Sequence, residues 1–588
     1  MTILNNSPTS VNVIDHHTRA HNPGEPRADS ISFDSERLGR IVRPLTFILA
    51  SLCVLQFASW VPHYLTWPLY ADHDVFASVA REWNAGKLPY REAFCDNFPG
   101  PIYLAWIADR IGGPTSAWPV YAIDAILLVA VASSAVFWSG RELKSTLPGW
   151  IMNISLFGYY FSQNYSQTAQ RDWQAPLFSL LGILILRSFP RSKPAAIASA
   201  LCAATAFVFR PQTILFTPIF WTALIDETND GVKRSIARIF GWSAIAAAMT
   251  ALEFAPIAIA GSTRDFIGSL AIVSYGGSYH RTSGLRIVSV WLNQFERGDA
   301  IALAAALVFF HQAPTKDRRE RSLIVSAIAS LLLASLYKPL SPYPHEYLNH
   351  PMLIFWCWSA AILSSRILRH PRGAELKFIA IGLLIGAHGG LKPEFCNPAR
   401  SIHALADLYH GDLPLESPAG YTRHSRVSLS AAYRWSDYRN VLKYLRNDLP
   451  PDIKIANALK GSPALLAPSG RRSALPAESI AWLRLVNPND ENLFVQSIEA
   501  CSDSAVVWSP AEFDLGMTPP LKALHSTILR LYRPLAKFGA IEIWERAPDE
   551  KVDNLGTAKK AQKVKMVTKV EKFASHDREN RSLSRSKR

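Results

Sequence analysis

Pro44-Leu45-Thr46-Phe47-Ile48-Leu49-Ala50-Ser51-Leu52-Cys53-Val54-Leu55-Gln56-Phe57-Ala58-Ser59-Trp60-Val61-Pro62 contains no Asp, Glu, Lys or Arg. At about 1.5 Å per helical residue, such a run reaches nearly across the ~30 Å hydrocarbon core of a bilayer. Comparable apolar runs follow at 116–138, 148–168, 173–187, 194–209, 211–226, 239–261, 300–313, 322–338, 348–365 and 377–391. Together they predict a polytopic α-helical membrane protein with about eleven transmembrane helices, several nearer ~15 residues than the usual ~20. The first 40 residues are polar and lack the apolar stretch of a cleavable signal, so the first run is expected to stay as an anchor.

Of the 588 residues, 49% are hydrophobic and 19% charged, yet mean hydropathy is only +0.07. A sizeable polar portion must dilute the apolar runs, which excludes a string of soluble domains. The net charge is +15, and residues 549–588 alone hold twelve Lys/Arg against six Asp/Glu. Much of the remainder sits in short loops between apolar runs, where it sets topology. No basic face is interleaved with stacking aromatics, so nucleic acid is not an expected partner. None of the six cysteines has C-x-x-C spacing. Cys53, Cys202 and Cys357 fall in apolar runs and read as small hydrophobes, whereas Cys95, Cys396 and Cys501 lie in polar segments with the option of one disulfide. His311, His350 and His388 are scattered at span ends. No metal and no cofactor is expected.

Loop charges orient the chain. With residues 1–40 cytosolic, the inside loops hold Arg141 and Lys144; Arg187, Arg191 and Lys193; Lys233, Arg234 and Arg238; Lys316, Arg318, Arg319 and Arg321; and Arg366, Arg369, Arg372 and Lys377. The opposite loops are mostly poorer in Lys and Arg. This pattern requires two short spans, or a re-entrant pair, around Arg210–Pro211, since a single span there would invert every later loop. The membrane region then covers 41–395, with a large first outer loop at 62–117. Residues 396–547 form an outer, periplasmic α/β domain. Within it a helix is predicted over 436–449 and strands over 452–458, 504–509 and 540–546, the last alternating as Ile541-Glu542-Ile543-Trp544-Glu545. The Lys-rich segment 548–588 reads as disordered.

The first outer loop carries the most chemistry: Ala71-Asp72-His73-Asp74-Val75-Phe76-Ala77-Ser78-Val79-Ala80-Arg81-Glu82-Trp83-Asn84-Ala85-Gly86, continuing to Asn97-Phe98-Pro99-Gly100-Pro101-Ile102-Tyr103. Asp72 or Asp74 is expected to cap a helix running to about Ala85, with Gly86 ending it. Phe76, Val79, Ala80 and Trp83 share one face suited to the membrane interface. Two carboxylates then stand at the mouth of the bundle, either as helix caps or as chemical groups. Asp124 and Glu253 lie near the outer ends of apolar runs and are further, weaker site candidates.

This loop resembles that of the C-superfamily of membrane glycosyltransferases, which includes protein O-mannosyltransferases, the lipid A aminoarabinose transferase and bacterial Rgt-like transferases. The shared positions are Asp72, Phe76, Arg81-Glu82, Gly86, Pro89-Tyr90 and Pro99-Gly100-Pro101-Ile102-Tyr103. His73 departs from the pattern, because many relatives carry Glu there. Gln170-Arg171-Asp172 and Pro344-His345-Glu346-Tyr347 resemble later outer elements of the same superfamily. The resemblance implies sugar transfer from a polyprenyl-phosphate donor to a hydroxyl on a glycan, lipid or protein, with inversion at the anomeric carbon. Asp72 becomes the expected base, with Asp74 as runner-up. Arg171 and Lys338 are the expected ligands of the donor phosphate, ahead of Arg210 and Arg281, and His345 and Tyr347 the expected substrate contacts. The implied location is a bacterial inner membrane. The rivals are a transporter or flippase of lipid-linked sugars, and a relative without catalysis.

Overall fold

A computed structural model describes residues 29–93, 95–225, 231–279, 284–293, 318–341, 346–369, 398–410, 433–459, 463–475, 477–480, 491–510 and 521–547, and singly 382, 413, 414, 418 and 513. The run predicted at 300–313, that at 377–391 apart from residue 382, and the basic segment 548–588 lie outside the described residues. The chain opens with α1 (Asp29–Leu65), α2 (Ala71–Asn84), α3 (Gly100–Gly112), α4 (Trp118–Glu142), α5 (Leu147–Phe161), α6 (Arg171–Ser188) and α7 (Lys193–Phe209). A 3-10 turn (Pro211–Phe216) leads to α8 (Thr217–Ile225), α9 (Gly231–Ile259), α10 (Thr263–Tyr279), α11 (Gly284–Asn293), α12 (Arg318–Ser335) and α13 (His350–Arg369). Among the described residues, the segments Val42–Leu65, Trp118–Glu142, Val232–Ile259 and Tyr347–Arg369 are long and apolar enough to cross a membrane. Phe47, Val54, Ile126, Phe240 and Ile259 are exposed on their outer faces, as lipid contact requires. Helices α10 and α11 lie between the apolar runs predicted at 239–261 and 300–313.

The break at Arg210–Pro211 is real, because proline cannot donate to the helix ladder. Arg210 Nε contacts Asp172 Oδ1 at 2.7 Å, at the start of α6. Thr222 Oγ1 lies 2.6 Å from Ser326 Oγ, which accepts from Arg187 Nη1 near the end of α6. The chain therefore climbs along α6 in α7 and descends again through α8. At that far end, Arg187 donates to both oxygens of the buried Glu142 at 2.8 and 3.1 Å, and Trp138 Nε1 donates to the same carboxylate. At the opposite end, Trp60 stacks on Tyr64 and Phe161 at 4.1 and 4.2 Å, and Tyr160 stacks on Trp173 at 4.0 Å. Asp124 is absorbed by this packing. Its carboxylate accepts from Tyr64, Tyr160 and Gln174, so it serves the core.

The remaining described elements are α14 (Pro398–His410), α15 (Trp435–Asn447), β1 (Lys454–Asn457), α16 (Leu466–Ser469), α17 (Asn492–Ala500), β2 (Ser504–Trp508), α18 (Lys522–Leu531), β3 (Tyr532–Phe538) and β4 (Ile541–Arg546). The sheet order is β1-β2-β4-β3, with β1 parallel to β2 and the other pairs antiparallel. β2 is buried on both faces, which is why its sequence is a continuous apolar run. Ala505 and Val507 join the apolar cluster that also contains Trp60, Tyr70 and Tyr160 of the helical region, while Val506 and Trp508 pack with Phe494 and Ile498 on the other side. The predicted strands at 452–458, 504–509 and 540–546 correspond to β1, β2 and β4, and the helix at 436–449 to α15.

Candidate active site

Helix α2 begins after extended Tyr70 and has no side-chain cap, so neither Asp72 nor Asp74 closes it as expected. It ends at Asn84, with Gly86 in the left-handed region at φ +86°. The apolar face of α2 is buried in protein and does not lie on the membrane interface. Val75, Phe76, Val79 and Ala80 pack with Ile102 and Ala105 of α3, Ile257 of α9 and Phe266 of α10. Helix α3 itself is seated by Gly100, where a Cβ would lie 2.8 Å from the Phe209 backbone.

Two positions along a helix are about 200° apart, so Asp72 and Asp74 face different surroundings. Asp74 is fully buried. Its Oδ2 accepts from Leu465 and Leu466 N–H at 2.8 and 3.0 Å, and Oδ1 from Ala467 N–H at 2.6 Å. Arg81, seven residues on and on the same face, donates to the carbonyls of Leu466, Ala467, Arg471 and Pro114 at 3.2, 3.0, 2.9 and 2.6 Å. Gly470 makes this loop close by adopting φ +75°. Glu478 faces Asp74, and burial together with the Asp74 charge pushes its carboxyl well above the ordinary carboxylate range. Burial also raises the Asp74 pKa, but three N–H groups oppose that shift and favour its ionised form. With every Asp74 oxygen engaged, this carboxylate joins α2 to the C-terminal segment.

Asp72 is only partly buried and looks toward a different group of charges. Asp96, in the loop before α3, is pushed upward by burial and by Asp72 while Arg171 pulls it down. The charges of Asp72, Arg171, Asp172 and Arg210 all act on Tyr347, which lies in a 3-10 turn (Glu346–Asn349) before α13. Arg171, the first residue of α6, is 8% exposed and its guanidinium lies 5.6 Å from the Phe76 ring. Arg171 forms a long ion pair with Asp172 through Oδ2, an oxygen that accepts no hydrogen bond. Asp172 Oδ1 accepts from Arg210 Nε at 2.7 Å and from Tyr337 OH at 2.9 Å, and Arg171 Nε lies 3.7 Å from Oδ2. Arg171 Nε and Nη1 are buried without a hydrogen bond. A buried cation with two unmatched N–H groups is costly unless an anion completes it.

Of the residues read from sequence, Asp72, Arg171 and Tyr347 thus belong to one electrostatic neighbourhood. Asp74 turns away from it toward the C-terminal segment. Lys338 follows Tyr337, whose hydroxyl bonds Asp172. His345 and Arg281 lie outside the described residues. Asp96 was not singled out from sequence, although an acid in the same loop with no helix to cap was a usable signal. Cys95 and Cys501 are free thiols, and Cys396 lies outside the described residues. Among the described residues, no three His, Cys, Asp or Glu side chains converge as for a metal.

No protein-family profile matches the chain, and no curated protein does. Solved structures do resemble it. ArnT from Cupriavidus metallidurans bound to undecaprenyl phosphate aligns with a TM-score of 0.50 at 12% identity, covering 85% of this chain and 97% of that one. The apo form of the same protein aligns over the same shares with a TM-score of 0.47 and 13% identity. ArnT is an aminoarabinose transferase, and the two chains share a fold.

Proposed function

We propose that this chain is an integral membrane glycosyltransferase that moves a sugar from a polyprenyl-phosphate donor to an acceptor hydroxyl. The observation that carries this reading is Arg171, a buried guanidinium with two N–H groups lacking a hydrogen bond, in the cluster of charges that includes Asp72 and acts on Tyr347. A phosphate monoester or diester oxygen is the natural complement of that fork. The fold likeness to a protein solved with undecaprenyl phosphate supports a lipid-borne phosphate in particular.

In this reading the acceptor oxygen attacks the anomeric carbon while Asp72 takes its proton. The C1–O bond to phosphate breaks on the opposite face and its electron pair stays on the phosphate oxygen, so configuration inverts. That leaving group is a stable anion and needs no general acid, unlike the leaving alcohol in glycoside hydrolysis. Arg171, with Lys338 as a second cation, offsets its charge. Tyr347 and His345 contact the substrate. Asp74 serves the joint to the C-terminal segment, which leaves Asp72 as the base. The bias of Lys and Arg among the loops supports a cytosolic N-terminus and a reaction on the outer side of an inner membrane. The outer α/β domain helps to bind the acceptor.

The test is purified protein in nanodiscs, supplied with a pool of radiolabelled undecaprenyl-phosphate sugars and a membrane acceptor extract, with nucleotide sugars in parallel. Label is expected to leave the lipid-linked donors and enter the acceptor, with none taken from nucleotide sugars. If the same protein in liposomes carries lipid-linked sugar across the bilayer with its phosphate bond intact, a transporter replaces this reading.

A further inference from the structure

The segment between α5 and α6 is held by side chains from three helices. His350 Nε2 lies 3.0 Å from the Gln167 carbonyl, and Tyr159 OH lies 2.8 Å from His350 Nδ1. Ala169 N–H donates to Tyr160 OH at 2.8 Å, and the Ala169 carbonyl lies 3.0 Å from His73 Nε2. A carbonyl only accepts, so His73 Nε2 carries a proton. Burial pushes the His73 pKa below its usual value, so the ring is neutral and Nδ1 holds a lone pair, buried without a partner. Ala169 itself stands at φ +51°, a left-handed backbone that a Cβ disfavours. Such a conformation is strained and persists only when its surroundings hold it. Here both backbone polar groups of the residue are held, each by a different helix. Two residues on comes Arg171, and one residue before His73 comes Asp72.

We propose that His73 is a positioning residue: its Nε2–H, bound to the Ala169 carbonyl, fixes the left-handed turn that aims Arg171 at the donor phosphate and holds that cation in register with Asp72. This rests on the reading of Arg171 as the phosphate site. His73 touches no reacting atom in this account. It links α2, which bears the base, to the turn that opens α6, which bears the cation, and that is why a neutral donor stands here between two acids.

The test measures affinity for undecaprenyl phosphate in wild type, His73→Leu, His73→Gln, Arg171→Ala and the His73→Leu/Arg171→Ala double variant. Glutamine keeps a neutral N–H donor near the Nε2 position, whereas leucine fills the space without one. The expected result is about tenfold weaker binding for His73→Leu, roughly the net worth of one hydrogen bond. His73→Gln should stay within about twofold of wild type, and the double variant should bind no worse than Arg171→Ala alone, because the two act as a unit. Wild-type affinity for His73→Leu, equal weakening by Leu and Gln, or additive effects in the double variant would each overturn the proposal. Inorganic phosphate at equal concentration is expected not to displace the lipid, and displacement counts against a lipid-phosphate site. A wild type that binds no undecaprenyl phosphate overturns the phosphate reading itself, and the role of His73 with it.

Discussion

Asp72→Asn is expected to lower the transfer rate by about 10²–10⁴-fold, the usual contribution of a positioned general base, or roughly 3–5 kcal/mol of barrier. Asparagine has the same shape and keeps the first turn of α2, but its amide cannot take a proton at neutral pH. Asp72 is partly exposed and Asp74 bears the contacts to the C-terminal segment, so insertion and abundance should not change. Affinity for undecaprenyl phosphate should also hold or rise slightly, since the variant removes a negative charge facing the phosphate site. Transfer rate and lipid binding measured on one preparation separate these effects. Undiminished transfer by Asp72→Asn would remove Asp72 from the chemistry, with Asp96 as the next acid of that neighbourhood.

Asp74→Ala and Arg81→Ala are expected to act on stability first. The alanine at 74 strands three buried N–H groups, and the alanine at 81 removes the donor to four carbonyls. Leaving buried polar groups unmatched costs about 1–3 kcal/mol each, with incomplete additivity, so a loss of about 3–5 kcal/mol is expected for either variant. Thermal unfolding and limited proteolysis of the C-terminal segment read this out. Glu478 adds a pH dependence with a definite sign. Its folded pKa is raised, so above the unfolded value of about 4.3 the folded state holds a proton that the unfolded chain has lost. Its contribution is present at low pH and declines as pH rises toward the folded value. Glu478→Gln should flatten that decline and be at least as stable as wild type at neutral pH. An Asp74→Ala protein of wild-type stability that no longer transfers sugar would make Asp74 the base.

What sequence reading could reach follows from how local each signal is. β2 was legible because a short apolar run bounded by polar residues is buried on both faces. β3 was not, since Arg533, Pro534 and Lys537 suit an edge strand whose burial is slight. Helix α3 was masked by Pro99-Gly100-Pro101, which reads as a turn although Pro101 occupies a favoured first-turn position. Asp72 and Arg171 could be named as candidates because their residue types and their places beside apolar runs suffice for that. The divergence of Asp72 from Asp74 could not be read, because the amides that occupy Asp74 lie 391 to 393 residues away. For the same reason the amphipathic face of α2 read as membrane-facing. Periodicity shows that a helix has an apolar side, and only the tertiary fold shows that α3, α9 and α10 cover it. His73 looked like a departure from a pattern, and its partner carbonyl 96 residues on gives it a role.

The most direct measurement is a cryo-EM structure of the protein in nanodiscs with undecaprenyl phosphate. Phosphate density is expected within hydrogen-bond reach of Arg171 Nε and Nη1, on the side of the site that Asp72 faces. Phosphate bound elsewhere, with Arg171 swung onto Asp172 and its N–H groups satisfied there, would contradict it.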